Sequence, residues 1–354
     1  MSTLAETSMT ITRRTVVKLL GSSAFAGAIS STLASRAFSA ASELVIAQSG
    51  GQAGEALEKA YAAPFTAKTG IPVRFVGLES ALGELKAMLQ SGTIDRHVWD
   101  VELADVLSQP DLFEDLDWDA IAPDPIFPEA KQPKAIGRHY YSYVMSWNGK
   151  AKPISTWKDF FDTENFPGRR AMMSYDAYAQ LEVALLADGV PADKLYPLDV
   201  DRAFAFLEAN KDKVQVWWDS GSQAAELVTS GEVDYALIYS GRVAYSKDVG
   251  MTYNQGISVL NYLAVTKGID ADSKAAAMKF FHEMTVAENE LKAVETIAYS
   301  GPSEGLDALL TDDQRKVLPS SVQNRAVQVP INSQWWTENR AAIDKRWTEF
   351  RANL

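Results

Sequence analysis

The chain contains no cysteine and only three histidines in 354 residues. Without a thiol there can be no disulfide scaffold, cysteine nucleophile, Cys-ligated zinc, iron-sulfur cluster or lipid-modified N-terminal cysteine. Positive charge is also scarce, with 34 Lys plus Arg against 46 Asp plus Glu and a net charge of −12. Binding a phosphate backbone needs a basic surface to displace counterions, which argues against nucleic acid as a partner. No glycine-rich loop has the spacing of a P-loop or a dinucleotide fingerprint, and no internal repeat or coiled coil is visible. What is present is 47% hydrophobic and 10% aromatic residues, the composition of an ordinary globular chain long enough for two cores.

Thr12-Arg13-Arg14-Thr15-Val16-Val17-Lys18 precedes 17 uncharged residues, Leu19 to Ser35, rich in Ala, Ser and Gly, and then Arg36 and Ser39-Ala40-Ala41. A charged start, a mildly apolar middle and a small-residue end form a secretory signal, and the paired arginines resemble the twin-arginine pattern. The apolar run is too short and too rich in small polar residues for a span of about 20 strongly apolar residues. Cleavage is expected near Ala41. Residues 1–41 carry a net charge of +3, so their removal leaves −15. A soluble exported chain with no cysteine to lipidate is retained only between two membranes, so the expected compartment is a periplasm.

The mature chain alternates strand and helix signals. Leu44–Ala47 is a short apolar run, followed by Ala53, Ala56, Leu57, Ala60, Tyr61 and Phe65 at helical spacing. Val73–Val76 and Val98–Leu103 predict two more strands, with a helix through Leu82, Leu85, Met88 and Leu89 between them. After the Asn148-Gly149 turn, Ala171–Ser174, Val214–Trp218, Tyr235–Tyr239 and Ile257–Val265 read as a second series of strands. Pro110 to Pro133 reads as a connection between the series. Such alternation predicts parallel or mixed sheet covered on both faces. Two α/β lobes enclose a cleft, and sites in such sheets lie beyond the carboxyl ends of the strands.

Enzyme motifs fail on context. Gly301-Pro302-Ser303-Glu304-Gly305 matches a hydrolase nucleophile elbow, but a helix rather than a strand is expected before Ser303, and His97, His139 and His282 all precede it. A turn closing a helix is the simpler reading. His282-Glu283 lacks a second histidine one turn on, so no zinc helix forms. The acidic run Glu114 to Asp119 reads as a solvated face. No metal, cofactor or catalytic group is expected. Strand ends are more informative. Ser49-Gly50-Gly51 ends the first strand and opens a helix with free backbone N–H groups. Trp217-Trp218-Asp219-Ser220 and Tyr239-Ser240-Gly241-Arg242 end two later strands. Alternation turns one of Trp217 and Trp218 to the core and frees the other for the cleft.

Trp217-Trp218-Asp219-Ser220-Gly221-Ser222-Gln223, then Ser230-Gly231-Glu232-Val233-Asp234 and Ile238-Tyr239-Ser240-Gly241-Arg242, resemble the periplasmic solute-binding proteins of ATP-driven importers, specifically the spermidine/putrescine-binding type. Thr156-Trp157-Lys158-Asp159-Phe160, Phe166-Pro167-Gly168-Arg169-Arg170 and Tyr299-Ser300-Gly301-Pro302 agree. The resemblance implies an α/β fold of two lobes with crossing hinge segments, residues 42–145 with 261–310 and residues 146–260 with 311–354. It implies a protein that traps a small organic solute, does no chemistry on it, and delivers it to a membrane permease; nothing in the sequence implies oligomerisation, and a monomer is expected. By position, Asp176 matches a carboxylate that grips an amine. Ala179 and Asn261 stand where further carboxylates are expected, and Tyr239 and Val259 take the places of tryptophans. The expected ligand-facing set is Ser49, Gly50, Gly51, Ser80, Tyr175, Asp176, Trp218, Ser220, Tyr239, Arg242, Asn261 and Tyr299. Burying both charges of a diamine without carboxylates is costly, and Arg242 and the Ser49 loop could receive a carboxylate. The sequence therefore points to an amine-bearing solute of reduced positive charge, such as an acylated polyamine or an amino-acid or opine-like conjugate. Putrescine and spermidine are the alternative, and an exported hydrolase or a ferric-ion carrier using Tyr140-Tyr141 lies further off.

Overall fold

The computed structural model describes residues 41–354; the export segment and its cleavage site lie at or before the start of the described residues. The strands are β1 (Leu44–Gln48), β2 (Val73–Gly77), β3 (Val98–Val101), β4 (Ala135–Asn148), β5 (Arg170–Met173), β6 (Val216–Trp218), β7 (Tyr235–Tyr239), β8 (Val249–Val265) and β9 (Val329–Pro330). They join in one sheet of order β2-β1-β3-β8-β4-β7-β5-β6, with β9 beside β8. β1 lies parallel to β2 and β3, and β5 lies parallel to β6 and β7. β8 and β4 run antiparallel through the middle and tie the two parallel halves together.

Residue chemistry accounts for the pieces. All five residues of β1 are buried, as a strand covered by helices on both faces requires. The helix that follows runs Gly51–Leu57, widens into a π turn over Glu58–Ala62 and resumes over Ala63–Thr69. Pro64, which has no N–H to give the preceding turn, opens the last stretch. Gly70 closes it at φ +73°, the left-handed cap a side chain would strain. Helix Trp157–Phe161 begins with a capping box, Thr156 and Asp159 exchanging side-chain and backbone bonds.

Two sets of buried residues result. One half buries Leu44, Ile46, Phe65, Val98, Phe280 and Phe281 on one side of its strands, and Ala47, Leu85, Trp99, Phe113 and Tyr262 on the other. The other half buries Trp157, Met172, Leu185, Trp218 and Leu237 together with Trp336, Ile343 and Trp347 from the C-terminal helix Ser333–Arg351.

Three differences from the sequence reading bear on the site. β4 was not anticipated, because His139, Tyr140, Tyr141, Ser142 and Tyr143 put polar and aromatic groups on both of its faces. β8 starts at Val249, eight residues before the expected Ile257. β3 ends at Val101, and Leu103 already begins helix Leu103–Ser108, so Glu102 is the N-cap of that helix and not a strand residue.

Candidate functional site

The cleft is built where β4 and β8 cross between the halves. Register shifts fall between Gly137 and His139 and between Tyr143 and Met145; bulges of this kind bend a strand and re-aim its side chains. In the segment they bracket, His139 pairs with Asn261, Tyr141 with Val259 and Tyr143 with Ile257, while Tyr140 and Ser142 pair with Leu260 and Ser258. Directly opposed residues share a face. One face therefore carries His139, Tyr141, Tyr143 and Asn261, and the reverse carries Tyr140, Ser142, Ser258 and Leu260. Tyr140 and Tyr141 consequently point to opposite sides and cannot ligate one ferric ion, and among the described residues no group of three or more His, Asp or Glu side chains is placed to hold a metal ion.

The first face is aromatic. Tyr141 lies 5.7 Å from Tyr239 and 5.9 Å from Tyr299, and Tyr143 lies 5.0 Å from Tyr239, centroid to centroid. His139 stacks on Tyr299 at 5.0 Å and 5°. Burial pushes the His139 imidazole well below its ordinary range, with Arg138 adding to the fall, so it stacks as a neutral ring. Burial raises Tyr141, Tyr143 and Tyr239 well above theirs, leaving neutral hydroxyls. Tyr175, which is exposed, meets the Tyr239 hydroxyl with its own. The close packing requires glycine twice: a Cβ on Gly221 would come 2.8 Å from Tyr239, and one on Gly241 would come 2.3 Å from Tyr299.

Beside this surface is a cavity of ≈ 490 Å³ lined by Ser49, Asp100, Glu102, Asp105, Asn261, Arg340 and Asp344 among others. Asp100 and Arg138 form an ion pair with side chains only 4% and 2% exposed, and Arg138 also donates to the Ala53 carbonyl at 2.9 Å. Ser49 Oγ donates to Asp100 Oδ2 at 3.4 Å. Arg340 reaches Asp176 at 2.8 Å, Asp344 at 3.2 Å and Glu102 at 3.7 Å. Glu102 is 37% exposed and lines this recess. Desolvation pushes its carboxyl up to about 7 against the pull of Arg340, with Asp105, Asp176 and Asp100 adding to the rise. Burial raises Asp105 and Asp176 too, with Arg340 opposing.

The expected site residues divide accordingly. Tyr175, Tyr239 and Tyr299 join the aromatic surface, and Ser49 and Asn261 line the cavity. Gly50 and Gly51 adopt φ +78° and +63° at the helix start, and the Gly50 N–H is already taken by Gln48 Oε1 at 2.8 Å. Asp176 is present but held by Arg340 and by the Tyr178 N–H. Trp218 does not form a wall: it is fully buried, donates to the Leu237 carbonyl at 3.0 Å, and supports Tyr175 and Tyr239 from behind at 6.0 and 5.7 Å. Trp217 turns the other way and packs 5.8 Å from Phe350. Ser220 caps helix Gly221–Ser230, accepting from Gln223 N–H, and the Ser80 N–H is taken by Glu84. Arg242 is exposed, and among the described residues no carboxylate pairs with it; Asp234 instead accepts from the Arg169 backbone. Arg242 lies close enough to Tyr299 and Tyr175 to oppose the rise of both hydroxyls, Tyr299 being pushed up to about 12 by burial. Ser303 is no nucleophile: it is buried, its N–H donates to Glu290 Oε1 at 2.6 Å, and its Oγ accepts from the Gly305 N–H.

A sheet of two α/β halves tied by paired long strands, with a polar cleft beside them, is the architecture of a solute-binding protein. The family described as bacterial extracellular solute-binding protein matches residues 60–316, and the chain belongs to it. It is 30% identical over 335 residues, 89% of this chain and 94% of the relative, to the gamma-aminobutyric acid-binding protein of Pseudomonas aeruginosa. An ABC transporter substrate-binding protein from Bradyrhizobium japonicum superposes with a TM-score of 0.81 at 33% identity, covering 87% of this chain and 99% of that one. The PBP MotA from A. tumefaciens B6, in complex with glucopine, gives 0.76 at 28% identity over 87% and 99%. The chain is thus an α/β substrate-binding protein of an ABC transporter, with no enzymatic activity.

Proposed function

We propose that this protein captures a zwitterionic amino-acid solute, of the 4-aminobutyrate or opine class, between its two halves and presents it to the membrane permease of an ATP-driven importer. One observation carries the reading: burial raises the hydroxyl of the exposed Tyr175, Asp176 and Glu102 add to that rise, and the unpaired Arg242 opposes it. A cation free to take a carboxylate and carboxylates able to face an ammonium thus act on the same tyrosine. Aromatic faces between them suit a methylene chain and the adjoining ammonium. The named ligands of the P. aeruginosa and A. tumefaciens relatives, which carry both an amine and a carboxylate, support it. In this reading residues 42–145 with 261–310 close against 146–260 with 311–354 about β4 and β8. The protein works as a periplasmic monomer exported by the twin-arginine segment.

Titration calorimetry with 4-aminobutyrate, glucopine, putrescine and spermidine tests the assignment. A zwitterion is expected to bind most tightly, and Arg242→Gln to weaken it by about tenfold, the size of one lost charge-assisted contact. Tight binding of putrescine with no response to 4-aminobutyrate would replace this reading with the polyamine one, which the surplus of Glu102, Asp105 and Asp344 over a single Arg340 favours. Small-angle scattering should show a smaller radius of gyration at saturation.

A further inference from the structure

The guanidinium of Arg340 fills a seat made by opposite halves of the molecule. Glu102 comes from the end of β3, and Asp176 follows β5. Arg340 comes from helix Ser333–Arg351, which Trp336, Ile343, Trp347 and Phe350 fasten into the second core. The arginine is only a third exposed and stands 5.5 Å from the Tyr178 ring and 5.8 Å from that of Trp336. On the same helix, Thr337 Oγ1 donates to the Ala104 carbonyl at 3.4 Å, two residues after Glu102.

Two carboxylates facing each other across a cleft repel unless a cation lies between them, and in most amine-binding sites that cation would be the ligand's. Here the chain supplies it. Resting on the reading that the cleft takes a zwitterion, we propose that Arg340 is a specificity-determining residue, an internal counter-cation seated between Glu102 and Asp176 that admits solutes of no net charge and rejects diammonium compounds. A zwitterion sets one ammonium against the remaining carboxylate surface and its own carboxylate toward Arg242. A diammonium compound must instead bring its second positive charge toward Arg242, where the field of Arg340 adds to the repulsion.

The test is the ratio of the dissociation constants for putrescine and 4-aminobutyrate, measured by calorimetry on wild type, Arg340→Gln, Arg340→Lys and Asp176→Asn. Arg340→Gln should move the ratio toward putrescine by about tenfold or more, since the change in field acts with opposite sign on the distal ends of the two ligands. Arg340→Lys should keep the wild-type ratio. Asp176→Asn, which leaves the cation and removes a carboxylate, should move the ratio further against putrescine, and it decides the matter if Arg340→Gln does not fold. A folded Arg340→Gln with an unchanged ratio, or Asp176→Asn shifting toward putrescine, would overturn the inference and leave the zwitterion reading standing. A wild type that prefers putrescine overturns the reading itself.

Discussion

Arg138 and Arg340 both answer carboxylates along one cleft, yet they do so in different surroundings. Arg138 and Asp100 are sealed in the floor of the first half, and Arg138 also donates to a backbone carbonyl. Arg340 stands in the wall with a third of its side chain exposed and three carboxylates around it. A sealed pair cannot exchange its partner for a ligand, because removing either charge strands the other away from water. A pair open to the cleft can be retuned by whatever enters. The floor pair thus holds the architecture of the Ser49 loop, while the wall sets the charge of the site.

The largest test of this contrast is Arg138→Met. Leaving Asp100 buried and unpaired should lower the free energy of unfolding by about 3–5 kcal/mol in urea titrations. Arg138→Met combined with Asp100→Asn should recover a large part of that loss. A single variant that loses less than about 1 kcal/mol would place the pair among surface ion pairs, which contribute little, and the contrast would collapse.

Glu182 extends the comparison to a carboxylate that no cation pairs with among the described residues. It is fully buried, accepts from Tyr196 Oη and from Trp336 Nε1 at 2.7 Å on one oxygen, and its other oxygen has no partner. Desolvation pushes it from 4.5 up to about 7. A carboxyl raised in the folded state holds its proton after the unfolded chain has released it. Stability is therefore lost as pH rises from about 4.5 to 7. Glu182→Gln keeps an acceptor for both donors and removes the titration. It should be more stable than wild type at pH 8, by on the order of 3 kcal/mol at most, and show no such advantage near pH 4. Thermal melts across this range would show it, and equal pH profiles for the two proteins would remove Glu182 from the ledger of buried charge.

The α/β fold class was legible because parallel strands buried on both faces read as apolar runs, as Leu44–Ala47 and Tyr235–Tyr239 do. β4 was not legible. A strand whose two faces both end in a cleft or pocket carries tyrosine, histidine and serine on each, and no period of two survives. The aromatic surface was half visible: Tyr239 and Tyr299 stand at strand and helix ends, but Tyr141 and Tyr143 were hidden with β4. Glu102 could have been found by the rule that sites lie beyond strand ends, and running the strand on to Leu103 concealed it. Alternation permits either tryptophan to face the cleft, so the sequence does not separate them; Trp217 meets Phe350 from the C-terminal helix, and Trp218 fills the core. Arg340 lies 164 residues from Asp176, on an amphipathic helix where nothing in the spacing sets it apart from its exposed neighbours.

The smallest expected effect concerns Glu102, whose carboxyl sits at about 7 while Arg340, Asp105, Asp176 and Asp100 surround it. Below that pH it is neutral and offers an ammonium only a weak acceptor; above it the charge is present. A solute amine stays protonated throughout this range, so affinity should follow the ionisation of Glu102 and rise with pH. Between pH 6 and 8 the ionised fraction grows about tenfold for such a pKa, and the dissociation constant of the amine-bearing solute should fall by about that factor. Glu102→Gln should bind at the weaker level with a flat profile. Asp176, already ion-paired to Arg340, should contribute no comparable slope, so Asp176→Asn should keep the rise of affinity with pH but move it to lower pH, because Asp176 adds to the rise of Glu102. A profile that flattens in Asp176→Asn and persists in Glu102→Gln would exchange the roles of the two carboxylates.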